Sequence, residues 1–177
     1  FEGESHFGND LFIDNINVVN TGVRLALKVL LEGPYDANTQ LMSDALRTAG
    51  LVPASEPYTA LGFLHAGGGG GESRQAGALT GAGNNAIVDW VLVELRDNAT
   101  GQSVVATRSA LLQRDGDVVA EDGSSPIAFE AAPGNYKVAV RHRNHLGAMT
   151  NGSIAMSATP TSLDLSLPAT ATHGTEA

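Results

Sequence analysis

From Asn85 onward the chain is written in short apolar segments of period two, each closed by turn-forming residues. That pattern is the strongest constraint on its fold, because residues alternating at period two present two faces only when the backbone is extended. Ile87 to Arg96 (IVDWVLVELR) sets Val91, Val93 and Leu95 on one face and Trp90, Leu92 and Glu94 on the other. Asn98 to Gly101 supplies a turn, Val104 to Leu112 a second strand, and Asp115-Gly116 a hairpin signal. Val118-Val119 and Ile127 to Phe129 are short strands around a Glu121-Asp122-Gly123 turn. Pro133-Gly134-Asn135 leads into Tyr136 to Arg141, with Tyr136, Val138 and Val140 inward. Ile154 to Ala158 and Leu163 to Leu167 complete the set. Short strands divided by turns predict an all-β, antiparallel Greek-key β-sandwich.

The earlier part of the chain is less regular. Val23 to Leu31 places Val23, Leu25, Leu27, Val29 and Leu31 on one face, which predicts a strand ended by Glu32-Gly33-Pro34. Leu41 to Ala49 predicts a short helix with Thr39 as N-cap and Gly50 as stop. Residues 65–85 contain five consecutive glycines, Gly67 to Gly71, and read as a flexible surface loop, because each glycine loses much backbone entropy on ordering. A phosphate-binding loop is disfavoured there, since no Lys follows the glycines and the next segment is a strand. At the N-terminus, Leu11 to Val19 reads as one more apolar strand framed by Gly, Asn and Asp. The organisation expected is an extension strand over residues 1–22, able to act as a donor strand, and a sandwich with long loops over residues 23–177.

Charge and cysteine content narrow the function. The net charge of −9 repels phosphate backbones and argues against nucleic acid as partner. The absence of cysteine excludes disulfides and thiolate metal sites. No apolar run is long enough to span a membrane as a helix. Charged residues at 16%, with many Gly, Ala, Thr, Ser and Asn, are the composition of secreted and surface proteins, so an extracellular or cell-surface location is expected. The start at Phe1 and the stop at Ala177 read as cuts within a longer polypeptide.

The segment from Asp89 to Val140 resembles the repeat of transthyretin-like and collagen-adhesin B-type sandwiches. The residues that carry the likeness are Val91, Val93, Leu95, Asp97, Thr100-Gly101, Asp115-Gly116, Phe129 and the run Pro133-Gly134-Asn135-Tyr136-Lys137-Val138-Ala139-Val140. LEGPYD, EPYTALGF, VVATRSALLQRDGDVV and VAVRHRNHLGAMT together resemble a domain found near the C-terminal end of large secreted bacterial surface proteins. GNDLFIDNINV is similar to the closing strand of a MAM-like jelly roll. These resemblances imply a sandwich used as stalk, spacer or binding platform, and say little about chemistry.

No nucleophile or metalloprotease motif occurs, and the chain is expected not to be an enzyme. No cofactor is expected beyond calcium, for which Asp115, Asp117, Glu121 and Asp122 supply clustered oxygen ligands. His142 and His145 are candidate transition-metal ligands without an evident third. Arg141, His142 and Arg143 form the one concentrated basic segment, a candidate contact for an acidic partner or a second copy of the chain. Leu11, Phe12, Ile13, Ile16 and Val18 are the candidate assembly residues of the extension strand. Trp90, Tyr35 and Tyr58 are the rings available for stacking on sugars. The expected function is therefore a non-catalytic structural or adhesive surface module that assembles with copies of itself or with neighbouring domains, through β-strand addition. The alternative is an accessory module of a secreted multidomain hydrolase, binding glycans or calcium-dependent ligands.

Overall fold

The computed structural model describes residues 22–174. Its elements in chain order are β1 (Val23–Lys28), β2 (Tyr35–Asp36), β3 (Leu41–Met42), α1 (Ala45–Thr48), β4 (Ile87–Arg96), β5 (Val104–Gln113), β6 (Asp117–Val119), β7 (Ile127–Phe129), β8 (Gly134–His142), β9 (His145–Met149), β10 (Ile154–Met156) and β11 (Thr161–Asp164). The protein is an all-β sandwich. Its large sheet runs β10-β8-β4-β5-β6-β1-β11, with β7 added to β1 and β9 to β8. Every pairing in it is antiparallel except β1 with β11, which run parallel.

The turns work as their residue types require. Asp97 accepts bonds from the Thr100 and Ser103 amides and closes the β4–β5 turn, with Gly101 at φ +70°. Gly116 at φ +96° lets β5 fold back on β6. Before β8, the Tyr136 hydroxyl donates to the Ala132 carbonyl at 2.6 Å and ties that strand to the loop ahead of it.

Two apolar clusters flank β4, whose residues are all buried except Arg96. On the inner face Val88, Val91, Val93 and Leu95 meet Val23, Leu25 and Leu27 of β1 together with Leu112, Phe129, Val138 and Val140. On the outer face Ile87, Trp90 and Leu92 pack with Leu111, Val119, Val52 and Tyr58. A bulge at Val88, between the Ile87 and Asp89 pairings, puts both Ile87 and Trp90 on that outer face. The connection between β1 and β4 is therefore a lid on the sheet. The Trp90 indole N–H donates to the Pro53 carbonyl at 3.0 Å and the Tyr58 hydroxyl to the Trp90 carbonyl at 2.8 Å, so both polar handles are satisfied in the dry interior. Burying the indole alone contributes at most about 4–6 kcal/mol by area.

The structure corrects two local expectations. The helix expected over 41–49 is reduced to α1, and Leu41-Met42 is extended: the Met42 amide donates to the Arg114 carbonyl at 2.7 Å while its side chain is fully buried. Thr39 does not cap α1, since its hydroxyl bonds to Asp36; Asp44 occupies the N-cap position, and Gly50 ends the turn at φ +70°. The second correction is the glycine run, which is seated on β5. The Thr107 amide donates to the Ala66 carbonyl at 2.9 Å, and a Cβ on Gly67 would stand 2.8 Å from the Val105 carbonyl oxygen. A Cβ on Gly69 would overlap Thr107. Glycine is required here for close backbone approach rather than for mobility.

Candidate functional site

Strand β4 buries two charges that an apolar strand pattern does not announce. Asp89 sits beside the β4 bulge and is 2% exposed, and Glu94, further along the same strand, is 2% exposed. Each is answered from β8 and the turn after it. Arg143 reaches Asp89 at 2.6 Å and His142 Nε2 lies 3.2 Å from the same carboxylate. Arg141 reaches Glu94 at 3.3 Å, and Arg96 donates to Glu94 from Nε at 2.7 Å. The Arg141 guanidinium also lies 4.6 Å above the Phe63 ring, over the lid. Because β8 pairs with β4, the basic run is delivered onto the two acids by sheet register: Arg141 stands opposite Leu92 and Ala139 opposite Glu94.

The electrostatics follow. Burial opposes the charge on Asp89, but hydrogen bonds from His142, Arg143 and the Trp90 amide outweigh it and hold the carboxyl below its usual range. Tyr58 is pushed up by burial first and by Asp89 second, so its hydroxyl stays neutral and serves as a donor. His145 is lowered by desolvation and then by His142.

The ring protons are fixed by this geometry. His142 Nδ1 lies 2.8 Å from His145 Nδ1 and also receives the Asn144 amide at 3.2 Å. A nitrogen that accepts an amide proton carries none itself, so His142 holds its proton on Nε2, pointed at Asp89, and His145 donates from Nδ1. The result is a chain His145 to His142 to Asp89.

A second polar group lies under the glycine run. The Glu56 carboxylate accepts from the amides of Tyr58, Thr59 and Gly71 and from the Thr59 hydroxyl. Burial raises its pKa, yet these donors prevail and hold it below its ordinary value. The Thr59 hydroxyl also lies 3.1 Å from His65 Nε2, but its proton is committed to Glu56, so this threonine and histidine are not a nucleophile and its base.

The expected sites fare unevenly. Leu11, Phe12, Ile13, Ile16 and Val18 lie outside the described residues. The four acids expected to surround calcium do not converge. Asp115 accepts from the Asp117 amide, Asp117 pairs with Lys28 at 3.4 Å, and Asp122 is engaged by the Ser124 and Ser125 amides and the Ser125 hydroxyl. Glu121 joins the fold through its backbone carbonyl, which receives the Gln75 amide. Asp115 and Asp122 organise their own turns, and among the described residues no three His, Asp or Glu side chains gather as a metal would require. Arg141, His142 and Arg143, expected as a contact for a partner, are turned onto Asp89 and Glu94 of their own chain. Trp90 and Tyr58 are fully buried and offer no sugar-stacking face. The residues missed were Asp89 and Glu94 as partners of the basic run. Their signal was present as two acids inside an otherwise apolar strand, a placement tolerated only with a counter-charge.

Comparison with known protein families, with curated proteins and with solved structures finds no match to this chain.

Proposed function

We propose that this chain is a non-catalytic structural or adhesive module of an extracellular surface protein, joined to copies of itself or to neighbouring domains by β-strand addition of its N-terminal segment. The observation that carries the reading is the internal commitment of the polar chemistry. The buried acids Asp89, Glu94, Glu56 and Glu72 are all spent on holding strands and loops to one another. Such a body is suited to bearing a shape rather than to turning over a substrate.

Strand addition draws support from one place in the sheet. Among the described strands β7 is laddered to β1 only, and Arg108 of β5 reaches it by donating to the Ala128 carbonyl, as well as to the Gly68 carbonyl. Open clefts of about 280 and 200 Å³ lie on the two sides of that side chain. The Ser109 hydroxyl, buried in the second of them, has no hydrogen-bond partner among the described residues. An incompletely zipped sheet is the kind of place where an added strand gains backbone bonds. Deleting residues 1–20 and imaging the full and shortened proteins by electron microscopy tests the reading. Filaments from the full chain alone support strand addition, and filaments that persist after the deletion exclude it.

A further inference from the structure

One open cleft, of about 410 Å³, lies where the end of β1, the β2–β3 hairpin, the turn before β4, the β5–β6 turn and the segment after β11 converge. Its size falls within the range of small-molecule sites, about 300–1,000 Å³. The frame around it is tied at several points. The Met42 amide donates to the Arg114 carbonyl at 2.7 Å and Arg114 Nε to the Met42 carbonyl at 2.8 Å, which fastens the hairpin to the β5–β6 turn. The Asp115 amide donates to the Asn84 carbonyl at 3.3 Å, and the Leu165 amide to the Lys28 carbonyl at 2.9 Å. Asp36 accepts from the Asn38 amide and the Thr39 hydroxyl and so sets the hairpin loop.

The polar groups carried on this frame are not committed to the fold. The side-chain amides of Gln40 and Asn84 and the Tyr35 hydroxyl make no hydrogen bond among the described residues, and Asp115 uses only one carboxylate oxygen, on the Asp117 amide. Gln40 stands at φ +57°, the only non-glycine residue with positive φ among the described residues. Glycine takes that conformation freely, yet the chain keeps a strained backbone there and a side chain that bonds nothing within the molecule. Such an outlier points to a use outside the fold.

We propose that this cleft binds a neutral carbohydrate, with Tyr35 against the apolar side of a sugar ring and Gln40, Asn84 and Asp115 on its hydroxyls. The chemistry of the lining selects that class. A side-chain amide offers a donor and an acceptor side by side, which suits neighbouring hydroxyls, and a carboxylate oxygen accepts from a third. Tyr35 is half-buried, packed on the core cluster while lining the cleft, so its ring is a fixed platform for stacking. A phosphate or sulfate is disfavoured, because Asp115 lines the same wall and Lys28 is already paired with Asp117 at 3.4 Å. The cleft shares no residue with the two beside Arg108, and the proposal does not rest on strand addition.

Nitrogen–proton NMR of the full chain tests this, titrated into the millimolar range with neutral trisaccharides of glucose, mannose, galactose or N-acetylglucosamine, and with a sulfated trisaccharide as the charged control. At least one neutral sugar is expected to shift the side-chain amide signals of Gln40 and Asn84, and the sulfated one to leave them in place. Gln40→Gly should weaken that binding by about three- to tenfold, the loss of one hydrogen bond, and glycine's freedom at this φ keeps the variant folded. Tyr35→Leu, which retains apolar packing on the core, should weaken it by a similar factor. No neutral sugar shifting those signals, tighter binding of the sulfated sugar, or unchanged affinity in Gln40→Gly would each overturn the site. None of these results bears on strand addition, which the deletion of residues 1–20 decides separately.

Discussion

Replacing Asp89 with Asn removes one charge and keeps the volume, so it isolates what the buried carboxylate does. In the native chain Asp89 answers Arg143 at 2.6 Å and His142 at 3.2 Å, with its own side chain 3% exposed. Removing one partner of a buried pair costs about 3–5 kcal/mol, because the remaining charge is left uncompensated. Here the lower end applies. The Arg143 side chain is 21% exposed and can turn partly to water, and the Asn amide oxygen can still accept from His142. A loss of roughly 3 kcal/mol in urea unfolding is expected, or a fall in Tm of roughly 6–12 °C for a chain of this size. The companion measurement is a double-mutant cycle with Arg143→Gln. A coupling above about 1 kcal/mol is expected, since the two groups share direct hydrogen bonds. A loss below about 1 kcal/mol for Asp89→Asn, or a coupling near zero, would refute the argument that this acid holds β4 to the hairpin.

Four further outcomes are expected. Trp90→Ala should cost about 3–5 kcal/mol in urea unfolding, since the indole is fully buried and its N–H bonds the lid at Pro53. Gly69→Ala should lower Tm and release the Thr107 amide to hydrogen exchange, because a methyl there overlaps β5; unchanged exchange at Thr107 would count against the seated loop. Adding calcium, or a chelator, should leave Tm where it is, because Asp115 and Asp122 are engaged in their own turns and Asp117 with Lys28 of β1. The Asp97 carboxyl is held low by the Thr100 and Ser103 amides, so its contribution to the β4–β5 turn is present above the usual carboxylate pKa of about 3.9. It is lost as the pH falls through the depressed value, which an NMR titration of the Thr100 amide should follow.

The sandwich and most of its strands were legible because period two is a local property of β4, β5 and β8. The two-sided burial of β4 was also visible in its run of Val, Leu, Ile and Trp. Legibility failed where tertiary contacts overrule local preference. Leu41-Met42 carries a helical pattern yet is drawn straight by the Arg114 carbonyl and by burial of Met42. Gly67 to Gly71 has the composition of a flexible linker, and only the position of Thr107, about 40 residues onward in sequence, explains its seat on β5. The site was half visible. Arg141 to Arg143 stood out as a basic run, and the two acids it answers lie about 50 residues earlier in a strand that is otherwise apolar. A hydropathy pattern names the face a residue points to, but not the residue waiting for it on the next strand.

The parallel pairing of β1 with β11 bears on how the molecule would carry load. Tension applied through the chain before Val23 and after Asp164 pulls two parallel neighbours in opposite directions along their common axis. The bonds registering Leu25 with Thr161 and Leu27 with Leu163 are then strained together, in shear, instead of being peeled one at a time. The short pairing of Thr150 with Thr172 yields first, as a sacrificial contact ahead of that clamp. A body wired in this way resists extension far more strongly along its ends than across its sheet, which single-molecule pulling from the two directions would separate.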